Sequence, residues 1–260
     1  MAGPLSPGAA VRVPQLELAV ENADGVRLAA AVGAARVELC AALAETDGVT
    51  PGIGAVEHAC RQGLPVHVLV RPRPGGFVYT ADELAVIERD VAASLRAGAA
   101  GVVVGFLTAD GAPDQAATRR IVHAARQSNP AAEVTFHRAF DAALAAGTDP
   151  AEALARLEEA GVNRVLTSGG AADCRTGLPM LRRLVGLARE CAPSLQIMAG
   201  GGATVELVPA LVDSGVHAIH TSARQRAGDP TPGHDSSAGR AIPSDPNLAA
   251  AFAAALNQEA

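Results

Sequence analysis

From residue 15 to residue 222 the chain alternates short apolar runs with longer amphipathic ones. The short runs read as strands: QLELAV (15–20), ARVELC (35–40), PVHVLVR (65–71), GVVVGF (101–106), EVTFHRAF (133–140), RVLTSG (164–169), LQIMAG (195–200) and HAIHTS (217–222). Between them, segments such as ADELAVIERDVAASLRAGA and DPAEALARLEEAG place apolar residues three and four apart, the helical period. Several of these helices are expected to stop at glycine: Gly33, Gly98, Gly161 and Gly215. The phrase small–Gly–Val/Ala recurs ahead of strands (AVGAARVEL, RAGAAGVVV, EAGVNRVL, DSGVHAIH), so the helix-to-strand turn is an internal repeat. Eight strands separated by helices predict a parallel sheet closed on itself, a single-domain α/β (β/α)8 TIM barrel. An open doubly wound sheet is the alternative, but it normally has fewer strands, and no GxGxxG follows the first strand.

The same pattern sets the domain limits. Residues 1–14 are expected to be a flexible lead-in and 15–222 the barrel. The polar Pro/Gly/Ser stretch 223–245 reads as a flexible linker, and the Ala-rich run 246–260 as a C-terminal helix, a candidate for the eighth helix of the barrel.

Composition narrows the function. With 21 Lys+Arg against 27 Asp+Glu, a net charge of −6, one Tyr and no Trp, the chain has neither the basic footprint nor the aromatic platforms of a nucleic-acid binder. No run is long enough for a signal peptide or a membrane span. Cys40, Cys60, Cys174 and Cys191 form no CxxC, so neither a disulfide framework nor a zinc knuckle is indicated. The expectation is a cytoplasmic protein with reduced thiols. It would bind a small molecule or a metal rather than nucleic acid or membrane, and a homo-oligomer remains open.

In such barrels active sites lie at the C-terminal ends of the strands. Polar residues gather there: Glu38 and Cys40, Arg71 and Arg73, His137, Arg138 and Asp141, Ser168, Gly200 to Gly202, His220 and Ser222. Alternation puts Glu17 and Glu21 on one face of the first strand, and His67 and Arg71 on one face of the third. Carboxylates on strands one and two would then neutralise Arg and His on strands three and five. The plain reading is a structural polar network that fixes strand register. The functional reading is a site in which Glu17, Glu38, His67, Arg71, His137, Arg138 and Asp141 carry acid–base and electrostatic work. Arg73, Ser168, Gly200, Gly201, Gly202 and Ser222 would then cradle an anion, because Gly-rich backbone beside hydroxyls suits a phosphate or carboxylate. Metal ligation has less support, since Cu(I) favours two or three sulfur ligands and only Cys40 lies at a strand end. His67, His137 and His220 are candidate nitrogen ligands, and each reads equally well as a hydrogen-bonded strand residue or a general base.

The motifs LELAVENADGVRLAAAVGAARVELCAALAETDGVTPGIG, VRPRPGGFVYT, GVVVGFLTADGAPD, VTFHRAFD, RVLTSGG and IMAGGG closely resemble the CutC copper homeostasis family, in matching order over residues 15–224. The resemblance implies a cytoplasmic TIM barrel that handles copper and binds copper(I) through cysteine. Cys40 stands at the family's second-strand cysteine. The first-strand cysteine, found in motifs like LEVCV, is replaced by Ala19 in LELAV, so a site built from cysteines on both strands cannot form in this chain. Copper homeostasis by resemblance, an enzyme acting on a small anionic or phosphorylated metabolite, and a non-catalytic barrel acting through partners are the readings carried forward.

Overall fold

The computed structural model describes residues 13–224 and 244–259. The repeated glycines do what their spacing predicts: Gly33, Gly98, Gly161 and Gly215 all adopt positive φ, which reverses the chain out of a helix at no Cβ cost. The strands are β1 Gln15–Val20, β2 Arg36–Leu39, β3 Val66–Leu69, β4 Gly101–Val104, β5 Glu133–Phe136, β6 Arg164–Thr167, β7 Gln196–Gly200 and β8 Ala218–Thr221, and the four reversals feed β2, β4, β6 and β8. All pairings are parallel, and β8 closes on β1 into a barrel.

The helices are α1 Ala23–Ala31, α2 Leu43–Thr46, α3 Ile53–Cys60, α4 Ala81–Arg96, α5 Gln115–Ser128, α6 Ala139–Ala145, α7 Pro150–Glu159, α8 Cys174–Cys191, α9 Val208–Asp213 and α10 Pro246–Gln258. Their starts are locally encoded. Asn22, Asp114, Asp149, Asp173 and Asp245 accept from the first-turn amides of α1, α5, α7, α8 and α10, and Thr80 with Glu83 forms a capping box on α4. Helix α10 buries Ala249, Phe252 and Leu256 and packs against α9 and α1. The sequence limits at 1–14 and 223–245 fall mostly outside the described residues. Several strands end earlier than expected, most plainly β5, which stops at Phe136 instead of Phe140; Ala139 and Phe140 already belong to α6, Ala139–Ala145.

The strand register separates two cores. Outward residues such as Leu18, Val37, Leu39, Val68, Val102, Val134, Phe136, Val165 and Ile197 pack under the helices. Inward residues stack in layers of four, each layer drawn from alternate strands. Rising from the N-terminal end, the layers are Arg36/Gly101/Arg164/Ala218, Glu17/His67/Thr135/Met198, Glu38/Val103/Leu166/His220 and Ala19/Leu69/His137/Gly200. Branched aliphatics usually fill such an interior. Here Glu17, Arg36, Glu38, His67, His137 and Arg164 do, all buried. Ionised side chains withdrawn from water need partners, and the pattern of those partners separates scaffold from site.

Candidate active site at the barrel mouth

The lower layers are scaffold. Arg36 donates from Nε to Glu17 Oε2, from Nη1 to Glu133 Oε2 at 2.8 Å and from Nη2 to Thr135 Oγ1 at 3.1 Å. Glu17 Oε1 takes a second bond from His220 Nδ1 at 2.7 Å. Burial opposes the Glu17 charge, but Arg36 and His220 outweigh it and hold the carboxyl well below the usual range. Arg164 bonds Gln15 at 2.8 Å and Gln196 at 2.9 Å. His67 lies among Arg36, Glu133 and Arg164 in a small cavity at the N-terminal end; burial and the Arg36 charge push its pKa down to about 3. Glu17 and His67 therefore do not line the C-terminal mouth.

The mouth is a cavity of about 1430 Å³, lined among others by Ala19, Glu38, Arg71, Phe77, His137, Arg138, Asp141, Gly201, Gly202, His220, Ser222 and Arg224. Glu38 forms part of its floor. It is 6 % exposed, and its Oε2 has no hydrogen-bond partner. Burial raises its pKa, as does the nearby Glu17 charge; His220, 3.6 Å from Oε2, and Arg36 offset part of this, leaving the carboxyl pushed up to about 7. Burial also works against a charge on His220, but the hydrogen bond with Glu17 and the Glu38 charge outweigh it and raise the His220 pKa.

Arg71 does not meet the carboxylates that strand alternation predicts for it. Its guanidinium donates to the carbonyls of Thr46 (2.9 Å), Gly48 (3.0 Å) and Gly75 (2.9 Å) and lies over the Phe77 ring at 5.3 Å. No carboxylate pairs with it among the described residues, so its charge is uncompensated, and its buried Nε has no acceptor. His137 sits just past β5 with its ring 5.0 Å from Phe77. The Ala139 amide donates to His137 Nδ1 at 3.1 Å, which leaves the ring proton on Nε2. Burial and the Arg71 charge push its pKa down to about 3, and Nε2 finds no acceptor.

Gly105 makes room for this ring. A Cβ there would stand 2.3 Å from His137 Nδ1 and Cε1. Gly105→Ala is expected to cost about 1–3 kcal/mol by overpacking. Denaturant unfolding checks this, and an unchanged midpoint would mean that the ring is not confined.

Asp141 is a brace. Its oxygens accept from the Ser168 amide (3.0 and 3.1 Å) and hydroxyl (3.0 Å), the Thr167 hydroxyl, the Gly170 amide (2.9 Å) and Arg138 Nε (2.8 Å). The Ser168 hydroxyl is also engaged, with Arg138 Nη2 at 3.0 Å and the Ala171 carbonyl at 2.6 Å. Arg138 remains half exposed at the rim, against Gly201. Arg73 turns away to Glu83 and the Gly76 and Val78 carbonyls, off the mouth lining. Gly200 lies in the wall, where a Cβ would strike Leu166.

Cys40 is fully buried against Leu69 and Val103, and its thiol donates to the Val20 carbonyl at 3.6 Å. Burial pushes the thiol pKa far up, and Glu38 and Glu21 add to this. Among the described residues, the His/Cys/Asp/Glu group close enough to share an ion is Glu17, Glu38 and His220, which holds no sulfur. Ala19 presents only a methyl to the cavity, and the other cysteines lie on α3 and α8. This donor set does not fit Cu(I).

Reading strand ends alone missed Arg36, Glu133, Arg164 and Arg224. Alternation along ARVELC would have found Arg36, which shares the inward face of Glu38 and Cys40.

The sequence pattern of the CutC family matches residues 14–225. A CutC protein of Vibrio vulnificus (strain YJ016) is 39 % identical over 212 residues, 81 % of each chain. One from Mesorhizobium japonicum is 44 % identical over 192 residues, 74 % of this chain and 70 % of that one. Among solved structures, a Streptococcus agalactiae protein named for copper homeostasis, CutC, superposes with a TM-score of 0.71 at 29 % identity, covering 80 % of this chain and 98 % of that one. The 3-hexulose-6-phosphate synthase of Salmonella typhimurium, at 14 % identity and a TM-score of 0.59 over 95 % of this chain and all of that one, shares the barrel fold alone. The chain belongs to the CutC family.

Proposed function

We propose that the barrel mouth is the active site of an enzyme acting on a small anionic metabolite, with Glu38 as its acid–base group. The observation that carries this reading is the unpartnered Glu38 Oε2 at the cavity floor, on a carboxyl that titrates near neutrality. A purely structural carboxylate would be saturated, as Glu17 and Asp141 are. The uncompensated Arg71 supplies the charge complementary to an anion. Four free thiols suit a reducing cytoplasm.

The test is a thermal-shift screen of phosphorylated and carboxylate metabolites against wild type and Arg71→Lys. A ligand at 100-fold its Kd adds about 2.7 kcal/mol, a rise of roughly 5–11 °C for a barrel of this size. At least one anion should give such a rise in wild type and a smaller one in Arg71→Lys, which keeps the charge and loses the planar fork. No response from wild type, or equal responses, overturns the reading.

The family name favours copper handling as a second reading. In competition with a Cu(I) chelator, the expected result is no tight stoichiometric site and no change on Cys40→Ala. Tight one-to-one binding abolished by Cys40→Ala would restore the copper role.

A further inference from the structure

Six unsatisfied polar atoms belong to residues lining the mouth, Glu38 Oε2, Arg71 Nε, His137 Nε2, Thr204 Oγ1, and Arg224 Nε and Nη1, and the first three lie on two facing sides. On one side are two donors held together by a shared ring: Arg71 Nε and His137 Nε2, both buried and without an acceptor, with Phe77 against both side chains. On the other, from β2, is one acceptor, Glu38 Oε2. Glu38 lies one layer below His137 and three strands away around the barrel, so the two face each other across the interior. Ala19 and Gly200, small residues in the His137 layer, keep the space above Glu38 open. A buried polar group left without a partner is costly, and an acceptor facing two donors across one cavity describes a missing molecule. Its complement has a hydrogen to give up next to an oxygen that gains negative charge.

We propose that the mouth enolises a small anionic carbonyl compound, with Glu38 as the base and Arg71 Nε–H with His137 Nε2–H as the oxyanion hole. This rests on the reading of the mouth as an anion-binding active site and adds its reaction class. The Glu38 carboxylate takes the proton from the carbon next to the carbonyl. The C–H electron pair becomes the C=C bond, and the carbonyl π pair moves onto oxygen. That oxyanion is held by the two donors. Glu38 then returns a proton to the same carbon, so the step is a proton exchange with no redox change and no co-reactant. A neutral imidazole suits this role: with Nδ1 fixed by the Ala139 amide, it donates from Nε2 without competing for the substrate proton. Arg71 brings charge that no carboxylate among the described residues cancels, and its three carbonyl contacts fix its orientation before substrate arrives. Arg138, at the rim, is placed to meet the substrate's anionic tail.

The experiment follows loss of the α-proton signal in D2O by NMR, with pyruvate and dihydroxyacetone phosphate as the carboxylate and phosphate probes. Calorimetric titration with oxalate, a planar mimic of an enolate, runs alongside. Protein-dependent exchange of at least one probe is expected, falling at least 100-fold in Glu38→Gln and at least tenfold in His137→Asn and in Arg71→Lys. Oxalate should bind wild type at least tenfold more tightly than it binds His137→Asn. Because Arg71 also clamps two loops, His137→Asn is the decisive variant if Arg71→Lys does not fold. Oxalate binding without exchange of either probe overturns the enolisation and leaves the anion site standing; neither binding nor exchange overturns both. Exchange that survives His137→Asn undiminished overturns the oxyanion hole.

Discussion

Arg36→Met should destabilise the protein by about 3–5 kcal/mol at pH 7, the largest stability loss expected from a single substitution inside the barrel. Arg36 is 4 % exposed, Glu17 not at all, and the guanidinium is the principal counter-charge that keeps Glu17 ionised. Methionine fills similar volume and leaves Glu17 with His220 alone, a buried charge half paired. Against a typical total of 5–15 kcal/mol, that loss brings the domain close to unfolding. The sign of its pH dependence is fixed. A carboxylate whose pKa is depressed on folding contributes stability that is present above its unfolded value of 4.5 and is lost as pH falls. The Arg36→Met penalty should therefore be greatest at neutral pH and shrink towards pH 4, where Glu17 in the variant takes up a proton. Adding Glu17→Gln to Arg36→Met should recover most of the loss, since the orphaned charge is then gone. Urea unfolding of the four forms closes the cycle. A single-variant loss below about 1 kcal/mol would mean that water replaces the guanidinium, and would sink the account of the interior as a dry, mutually neutralised stack.

The barrel itself was legible in the sequence because its causes are local: short apolar runs recur eight times, and glycine reversals and side-chain caps recur at many of the turns between them. The mouth residues Glu38, Arg71, His137, Arg138 and Asp141 were legible because a parallel barrel delivers strand ends to one place. Their roles were not. Whether a buried charge is spent on the scaffold depends on what lies across the interior, and that is set by barrel stagger. The stagger lowers Glu17 and His67 beneath the Glu38 layer, to the level where Arg36, Glu133 and Arg164 reach them. Arg71 is held by carbonyls of Thr46, Gly48 and Gly75, and backbone acceptors in loops leave no trace in a side-chain pattern. Asp141, expected just past the end of strand five, sits in α6, where it braces the loop after β6. What separates Glu38 from these is a carboxylate oxygen left without a hydrogen bond, which only the three-dimensional arrangement reveals.

That difference makes Glu38→Gln the sharpest probe of function against stability. The wild-type carboxyl has its pKa raised on folding from 4.5 to about 7. Below pH 4.5 it is protonated in both states and costs nothing. As pH climbs, the unfolded chain ionises freely while the folded chain retains the proton, so stability drains away until the folded group also ionises near 7. At about 1.4 kcal/mol per unit, the full loss is on the order of 3 kcal/mol. Glutamine carries no such penalty. Glu38→Gln should match wild type near pH 4.5 and exceed it by roughly that amount at pH 8, in denaturant midpoints taken across the range. The same substitution removes the base, and a positioned proton acceptor is worth roughly 10²–10⁴ in rate. A variant that is more stable above neutrality yet at least 100-fold slower in α-proton exchange is the signature of a carboxylate kept free of hydrogen bonds for chemistry. Parallel stability curves for the two proteins would show instead that Glu38 ionises as an ordinary carboxyl, and the acid–base role assigned to it would fall.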